Sequence, residues 1–446
     1  MLIGFTTQVV LARLLAPEYF GALAFSVMVA FFFSTLANIQ GDKYLIREAG
    51  DIQEKFNNVF TIEVILATTF SILVIGLAPA LMRLLGSEHL TSYVQVLTIA
   101  YFYNPFSRVR SLFEKELSFF RARMPMVIAQ AVAAGIGILL AYLGFGIWGL
   151  VAWRLVTLFT EALVLWWIAP LRPHLALNRD ILRDIFRFCW PLMGSAVLIY
   201  FYWNIDYYIV ARLLDETQLG YYWLAFQMTH YLTRFRHVIN TVLFPTFSRI
   251  GDDEIIKKIF AALSDITFIL FLIPIVILFF YGETVIVFIF GDKWGPATPV
   301  FQIFTVVTAF RMIFGYWDPV VLYYGKTKIP FYMTIYGAIS LTIFVSILTP
   351  RYGITGAAAG VLGSISLGTI LYGIIFHFHI ARLSYRHLAL SFFKAFVVLG
   401  AAYGINNVWH PNLIILFIFT CIALFLLNVP RIREYYLNYP IKNTSS

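Results

Sequence analysis

The chain has 446 residues, of which 61% are hydrophobic and 12% are charged, and its formal net charge is +9. So few charges could not cover the surface of a soluble protein of this length, and much of the apolar surface must therefore face lipid. Two cysteines, Cys189 and Cys421, exclude a disulfide framework. Composition predicts an all-α integral membrane protein.

Apolar runs separated by short polar loops predict about fourteen transmembrane helices. The predicted spans are residues 1–15, 20–40, 59–85, 93–111, 124–144, 146–169, 189–212, 217–243, 260–281, 296–323, 329–349, 353–378, 388–406 and 411–429. The first is short: it would extend about 22 Å, less than the roughly 30 Å hydrocarbon core. We expect either a half-length first helix or a start upstream of Met1, and we favour the second. The segment 172–188 is amphipathic and is expected to lie at the membrane surface.

Loop charges predict the orientation of these spans. With the amino terminus inside, the cytoplasmic loops and tail carry 22 Lys and Arg residues, and the outside loops together with the adjoining helix ends carry 5. This bias follows the positive-inside rule and places both termini in the cytoplasm, with the chain in the inner (plasma) membrane. The positive net charge then reflects loops near anionic lipid, and it does not require a nucleic-acid partner.

Three short sequence patterns recur in the same order at offsets of 199 to 207 residues. They are Ala12–Leu15 with Gly21 and Ala211–Leu214 with Gly220; Met124-Pro125 and Ile329-Pro330; and Gly146-Ile147-x-Gly149 and Gly353-Ile354-x-Gly356. Six helices separate the copies, so both halves keep one orientation, and a pseudo-two-fold axis along the membrane normal is expected.

The repeat predicts the domain organisation. We expect a six-helix lobe at residues 1–170, an amphipathic cytoplasmic linker helix at 171–188, a second six-helix lobe at 189–380, two extra transmembrane helices at 381–429 and a cytoplasmic tail at 430–446. Two such bundles around a central cavity are typical of transporters that work by alternating access. The alternative is a scaffold or channel with duplicated bundles, which would not need ionisable groups at membrane depth.

Several polar side chains fall inside predicted spans, where a charge costs about 2.5–3.5 kcal/mol on insertion scales. The candidates for substrate binding are Arg154, Arg234, Arg311, Asn204, His230, His237, Tyr202 and Trp317, and those for coupling or charge balance are Asp206, Asp318 and Glu161. Arg154 and Glu161 lie seven residues apart on one helix face, so either a mutual ion pair or a role in the cavity fits. The cationic character suits an anionic head group such as a pyrophosphate. The alternative is that Asp206 and Asp318 neutralise arginines across helices and nothing binds.

Other charged residues have simpler interpretations. Glu63 and Lys394 are expected at the membrane interface, Arg236 is expected to snorkel or pair, and the basic segment 108–123 is expected on the cytoplasmic surface. The sequence contains no Walker loop, HExxH, CxxC or dinucleotide-type glycine loop. We therefore expect no enzymatic activity, catalytic residue, metal site or cofactor. Without a nucleotide site, an ion gradient, the membrane potential or the substrate gradient must supply the energy.

Four stretches resemble one family of exporters. They are Val10–Gly21, Phe102–Phe120, Asn204 to Tyr222, and Phe290–Trp294. In these stretches the chain is similar to the Wzx-type oligosaccharide and polysaccharide-repeat flippases of the multidrug/oligosaccharidyl-lipid/polysaccharide exporter superfamily. Members of that family begin upstream of this chain's Met1, which agrees with an upstream start.

The resemblance implies a flippase that moves a polyprenyl-pyrophosphate-linked oligosaccharide from the inner to the outer leaflet for O-antigen, capsule or exopolysaccharide synthesis. Its partners would be that substrate, membrane lipids and the polysaccharide polymerase machinery. From their depth in the predicted spans, we expect Arg154, Arg234 and Arg311 to bind the pyrophosphate. Five aromatic residues are expected to stack on the sugars: Tyr202, Trp203, Trp223, Tyr316 and Trp317. Two alternatives stay open: a cation-coupled multidrug exporter of the same superfamily, and a membrane glycan polymerase or ligase.

Overall fold

The computed structural model describes residues 2–48 and 52–376, and its regular elements there are all helical, as predicted. The α-helices are α1 Leu2–Leu14, α2 Pro17–Ala37, α3 Gly41–Arg47, α4 Ile52–Leu84, α5 Thr91–Leu97, α6 Tyr103–Ser107, α7 Val109–Lys115, α8 Phe119–Tyr142, α9 Ile147–Trp167, α10 Arg179–Leu213, α11 Glu216–Ile250, α12 Asp253–Phe280, α13 Gly282–Phe290, α14 Thr298–Phe314, α15 Trp317–Tyr323 and α16 Lys328–Phe376. Short 3₁₀ turns cover Glu88–Leu90, Thr98–Phe102 and Asp292–Ala297. The predicted spans 388–406 and 411–429, the tail 430–446 and Lys394 lie outside the described residues.

Within the described residues, seven helical stretches are long and apolar enough to cross a membrane. Helix α8 illustrates how such a helix divides its surface. Its buried stripe consists of small residues at four-residue spacing, Ala129, Ala133, Gly137 and Ala141, whereas large apolar side chains on its other faces are exposed. A Cβ on Gly137 would lie 2.8 Å from Cβ of Trp153, so α8 and α9 pack closely along this stripe. The exposed apolar face suits lipid.

The fourth predicted span, residues 93–111, is not one continuous helix. A 3₁₀ turn at Thr98–Phe102 separates α5 from α6, and α7 follows directly. Pro105 supplies the physical reason, because a proline has no N–H to donate and its ring crowds the carbonyl four residues earlier. The chain therefore tightens its helical winding just before the proline.

The amphipathic segment 172–188 also differs from the expected separate linker helix. Residues 171–178 are not helical, and α10 then runs without interruption from Arg179 to Leu213. Asn178 begins the helix by accepting a hydrogen bond from the backbone N–H of Asp180. The charged residues after Asn178 therefore form the first turns of α10, the same helix that contains the seventh predicted span.

The Gly-Ile-x-Gly repeat has the same backbone conformation in both copies. Gly146 has φ 53° and ψ −126°, and Gly353 has φ 60° and ψ −144°, a region open only to glycine in practice. Gly149 and Gly356 each pack against the backbone of the preceding helical segment. A Cβ added at either position would lie within 3.1 Å of a backbone atom. The break at Gly353 divides α16 where the eleventh and twelfth spans were predicted to meet.

The chain divides into two compact units. Unit 1 is Met1–Trp223 with Ile289–Trp294, and unit 2 is Leu224–Phe288 with Gly295–Ser446. Unit 1 contains a buried cluster that includes Tyr44 and Phe56 and draws residues from α3, α4, α7, α8, α9 and α10. Unit 2 contains one from α11, α12 and α15 that is centred on Phe247 and Trp317.

Candidate functional site

The beginnings of α2 and α11, which carry the repeated sequence, cross in direct backbone contact inside unit 1. A Cβ on Gly21 would overlap the backbone oxygen of Glu216, and a Cβ on Gly220 would overlap that of Pro17; both would lie within 3.0 Å. Pro17 and Glu216 are themselves 199 residues apart, as are the two glycines. The contact is therefore reciprocal between the two copies of the repeat.

Residues Ile289–Trp294 bind the end of α1 at the same place. Lys293 Nζ donates to the carbonyl oxygens of Arg13 and Leu15 at 2.9 and 2.7 Å, and Trp294 Nε1 donates to that of Ala12 at 2.8 Å. In return, Arg13 Nε donates to the carbonyl oxygen of Ile289 at 2.8 Å. Since the last carbonyls of a helix have no partner within it, this segment acts as the cap of α1.

The indole of Trp294 also joins this segment to the crossing. It is fully buried, and its ring centroid lies 5.4 Å from that of Phe20 and 6.0 Å from that of Tyr221. Phe20 and Tyr221 are the chain neighbours of Gly21 and Gly220. Three of the four stretches that carry the sequence resemblance thus meet at one point, although the sequence alone assigned no role to Phe20, Tyr221 or Trp294.

A pocket of about 610 Å³ opens beside the crossing, entirely within unit 1. Its polar lining includes Glu18, Tyr19, Tyr93, Arg212 and Glu216. Glu216 Oε1 lies 2.5 Å from Nε2 of His89, a pair that ties the turn after α4 to the first residue of α11.

Glu63 is buried inside the protein by an arginine partner that the sequence did not predict. The residue is 1% exposed, and its two carboxylate oxygens accept from Nε of Arg108 at 2.9 and 2.7 Å. Arg108 also donates to Oδ1 of Asp42 at 3.0 Å and to Oδ1 of Asn38 at 2.7 Å. Arg108 is thus buried rather than on the cytoplasmic surface, and its cluster ties the end of α2 to α3, α4 and α7.

Glu161 and Arg154 share a helix but do not pair with each other. Glu161 is buried and forms an ion pair with Arg110, and it accepts from the hydroxyl of Tyr103 at 3.0 Å. Arg154 lies in the middle third of α9, is exposed, and has its Cζ 5.2 Å from the ring centroid of Phe31. Among the described residues Arg154 forms no ion pair. The guanidinium is therefore available to an anionic ligand.

The predicted residues of α10 lie on two different faces. Asp206 is buried and accepts from the hydroxyl of Tyr222 at 2.7 Å. Asn204 donates to the carbonyl of Tyr200 at 2.9 Å and lines an apolar pocket of about 270 Å³ formed with α2 and the end of α4. Tyr202 is half-buried against Trp203, with ring centroids 5.7 Å apart.

In unit 2, Phe226 brings two predicted residues together. The ring of His230 stacks on it at 5.5 Å with an interplanar angle of 13°, and Cζ of Arg311 lies 5.9 Å from its centroid. Arg311 and His230 are both half-buried. Phe226 was missed by the sequence reasoning, because one phenylalanine among 44 gives no signal of its own.

Arg236 neither snorkels nor extends into solvent. It donates from Nη1 to the carbonyl of Arg311 at 2.8 Å, and Asn240 donates to the carbonyl of Gly315 at 2.9 Å, so both act on the end of α14. The side chains of Arg234 and His237, predicted to lie on the same helix as His230, are outside the described part of the chain.

The remaining predicted residues sit around α15. Asp318 is exposed and accepts from the hydroxyl of Tyr372 at 2.8 Å. Trp317 is 2% exposed and Tyr316 fully buried, so neither offers a free face to a sugar in this structure. In residues 2–48 and 52–376, no group of three or more His, Cys, Asp or Glu side chains could hold a metal ion.

Residues 10–299 match the family described as polysaccharide biosynthesis protein, which covers more than half of the chain. The chain belongs to this family. Among relatives, the succinoglycan biosynthesis transport protein ExoT of Rhizobium meliloti (strain 1021) is 25% identical over 306 residues, 66% of this chain and 60% of ExoT. The chain thus spans less than two thirds of ExoT. The lipopolysaccharide biosynthesis protein WzxC of Escherichia coli (strain K12) is 24% identical over 421 residues, 92% of this chain and 81% of WzxC.

The family fold agrees with a solved structure. The lipid II flippase MurJ, in its inward closed conformation, matches with a TM-score of 0.75 and 16% identity, over 97% of each chain. At this identity the likeness shows the fold alone, that of an all-helical multi-pass membrane protein.

Proposed function

We propose that the protein is a flippase which moves a polyprenyl-pyrophosphate-linked oligosaccharide from the inner to the outer leaflet for cell-surface polysaccharide synthesis. Membership of the polysaccharide biosynthesis family and the fold likeness to a lipid flippase support this class of cargo. In this proposal the lobes 1–170 and 189–380 alternate around a central path, and polysaccharide polymerase machinery receives the product.

The observation that carries the proposal is the charge at membrane depth in unit 1. The three buried acids described there, Glu63, Glu161 and Asp206, each have an arginine or tyrosine partner. Arg154 is exposed in mid-helix and pairs with no acid among the residues that the structure describes. Because an unpaired charge at this depth costs about 2.5–3.5 kcal/mol, its retention favours an anionic ligand such as the pyrophosphate.

The orientation follows from loop charge. We place the protein in the inner membrane with both termini cytoplasmic, since 22 Lys and Arg residues then lie inside and 5 outside. The crossing of α2 and α11 then lies at the outer end of the helices, and the Arg108 cluster at the cytoplasmic end.

The drug-exporter alternative gains no support from the buried acids of the first predicted lobe, residues 1–170. It needs a carboxylate at membrane depth that can bind a cation, and both Glu63 and Glu161 are already bound to arginines. Asp206 and Asp318 remain the candidates for proton coupling, with Glu161 balancing the charge of Arg110.

Complementation of a strain that lacks its own repeat-unit flippase tests the proposal. The wild-type chain should restore surface polysaccharide, Arg154→Ala should abolish it, and Arg154→Lys should retain part. Arg83→Ala is the matched control, because the side chain of Arg83 is 75% exposed and forms a surface pair with Glu88. Full polysaccharide synthesis by Arg154→Ala at normal protein level would refute the proposed role of the cation.

A further inference from the structure

We propose that residues 171–178 and the first turns of α10 form a binding site for the phosphate head groups of anionic phospholipids in the cytoplasmic leaflet. The choice of leaflet rests on the topology under the proposed function, and the site itself lies entirely within unit 1. We call residues 171–178 the connecting segment, because they join the two predicted lobes.

The connecting segment lies against a polar face of α4. Three backbone N–H groups, at every second residue, donate to side-chain oxygens of that helix: His174 to Asn57 at 3.1 Å, Ala176 to Thr61 at 2.9 Å and Asn178 to Asn58 at 2.7 Å. Donation by alternate residues is typical of an extended chain. The three accepting residues of α4 are buried, so these N–H groups have partners that water does not need to replace.

These hydrogen bonds bring the connecting segment to membrane level. Thr61 lies about 14 Å along the helix axis from Ile52, the first residue of α4, and inside the predicted span 59–85. Non-helical backbone is tolerated at membrane depth only where the protein satisfies its polar groups. The paired N–H groups therefore allow this segment to enter the edge of the bilayer.

The side chains beside Ala176 are suited to lipid. Leu175 is 72% exposed and Leu177 is 60% exposed. Because both flank the residue that is bound to Thr61, they lie level with the start of the predicted span. A cytoplasmic protein does not reach leucines at this depth, whereas acyl chains do. This placement favours a lipid over an acidic protein as the ligand.

A row of arginines follows directly on α10. Arg179, Arg183 and Arg187 recur at four-residue steps, on the face turned away from the buried Ile185 and Cys189. All three are exposed, and none forms an ion pair within the part of the chain that the structure describes. Guanidinium groups bind phosphate oxygens through paired N–H donors, so this arginine row fits phospholipid head groups.

Neighbouring acids and helix stability do not account for the arginine row. Asp184 accepts from the hydroxyl of Tyr44 at 3.1 Å, which directs its carboxylate to α3. Asp180 is exposed and forms no ion pair with a described residue. Arg179 lies in the first turn of α10, where the helix dipole disfavours a cation. An external anion supplies the compensation that the helix lacks.

Two aromatic residues flank the arginine row. Phe186 is 51% exposed, and Trp190, one turn later, is 68% exposed. Tryptophan is enriched where head groups meet acyl chains, so Trp190 places this part of α10 at that level. Exposed leucines and aromatic residues next to basic residues are the composition of elements that bind anionic membrane surfaces.

Lipid binding by the purified full-length protein tests the site. Native mass spectrometry measures phosphatidylglycerol binding in a titration, with phosphatidylcholine as the background. The triple variant Arg179→Gln, Arg183→Gln, Arg187→Gln should weaken phosphatidylglycerol binding by about tenfold or more, since one arginine near anionic lipid favours binding by about fivefold. The control triple Arg83→Gln, Arg212→Gln, Arg351→Gln removes three exposed arginines elsewhere and should bind as wild type does. Equal affinities in the two triple variants would overturn the proposal.

Competition separates the sources of the phosphate. Phosphatidylglycerol should stay bound in excess inorganic phosphate, because the leucines and Trp190 hold its acyl chains. Displacement by inorganic phosphate would mean a site for free anions and would overturn the proposal. So would a triple variant that loses binding of undecaprenyl pyrophosphate but keeps that of phosphatidylglycerol.

A spin label measures depth without relying on the arginine variants. Leu175→Cys is labelled in a Cys189→Ala, Cys421→Ala background and reconstituted into vesicles of phosphatidylethanolamine and phosphatidylglycerol. The label should collide more often with oxygen, which concentrates among acyl chains, than with a water-soluble nickel chelate. Glu116→Cys, at an exposed residue in the predicted cytoplasmic loop, should show the opposite preference. The same preference at both positions would contradict a segment that enters the bilayer.

The lipid site and the proposed function fail separately. Lipid binding and label depth are measured without transport, so a protein that binds phosphatidylglycerol but cannot restore polysaccharide would lose the proposed cargo and keep the site. Restored polysaccharide with unchanged lipid binding in the arginine triple variant would do the reverse. Arg172→Cys should react with a membrane-impermeant maleimide in inside-out vesicles, and reaction only in right-side-out vesicles would overturn the assignment to the cytoplasmic leaflet.

Discussion

Arg108 Nε donates to both carboxylate oxygens of Glu63, across 45 residues of sequence, and both side chains are buried. Arg108 completes its set of acceptors with Asp42 and Asn38. This cluster ties the end of α2 to α3, α4 and α7 at one end of unit 1. The ion pair between Arg108 and Glu63 is structural, so these two charged side chains are not available to a transported solute.

Removing either partner should destabilise the protein without a specific effect on cargo. Glu63→Ala or Arg108→Ala should lower the free energy of unfolding by about 3–5 kcal/mol, because the remaining charge is left buried. Thermal unfolding in detergent measures this. Glu88→Ala is the control, since its exposed pair with Arg83 contributes about 0–1 kcal/mol. Equal effects at both sites would contradict the burial argument.

Arg110 and Glu161 should behave as one unit. Tyr103 receives a hydrogen bond from Arg110 at 2.9 Å and donates to Glu161 at 3.0 Å, which completes the group. We expect Arg110→Gln and Glu161→Gln each to destabilise the protein. The double variant should lose less stability than the sum of the two single losses, and the difference, the coupling free energy, should be about 0.5–3 kcal/mol. Additive losses in the double-mutant cycle would mean that the two side chains act independently.

Phe226 should matter for transport more than for stability. Phe226→Ala removes the ring that His230 stacks on, and with it the cation–π contact with Arg311, which is worth about 0.5–2 kcal/mol. We expect reduced polysaccharide synthesis in the complementation assay at normal protein level. Phe288→Ala, which removes a 78% exposed phenylalanine, should have no effect. Normal synthesis by Phe226→Ala would remove Phe226 from the candidate site.

Trp317 should contribute to stability. Because its side chain is 2% exposed, Trp317→Ala should destabilise the protein by about 3–5 kcal/mol through the cavity it leaves. Trp167→Ala, at a tryptophan that is 80% exposed, is the control and should change the melting temperature little. A loss of transport by Trp317→Ala with an unchanged melting temperature would instead support the sugar-stacking prediction.

Local patterns predicted the features that depend on neighbouring residues in the chain. Apolar runs predicted the helices, and the spacing of Gly146 and Gly149 with Gly353 and Gly356 predicted a repeat. In the structure Gly146 and Gly353 have the same backbone conformation. Such features need only sequence, since helix length and backbone conformation are set over a few residues.

Partners across helices could not be predicted in the same way. The seven-residue spacing of Arg154 and Glu161 put them on one face, yet packing gave Glu161 to Arg110 and left Arg154 beside Phe31. Likewise, the position of Glu63 near a span end did not indicate that Arg108 would bind it in the interior of the protein. Helical periodicity tells which residues share a face, and only the tertiary fold decides what that face meets.

The most direct measurement is flipping by the purified protein in proteoliposomes. The probe is an undecaprenyl-pyrophosphate-linked disaccharide carrying a fluorophore on the sugar, bleached from outside by a membrane-impermeant reductant. We predict that wild-type protein makes nearly all of the probe accessible, and that Arg154→Ala leaves the inner-leaflet share protected while Arg83→Ala behaves as wild type. Equal bleaching in vesicles with and without the wild-type protein would contradict the account.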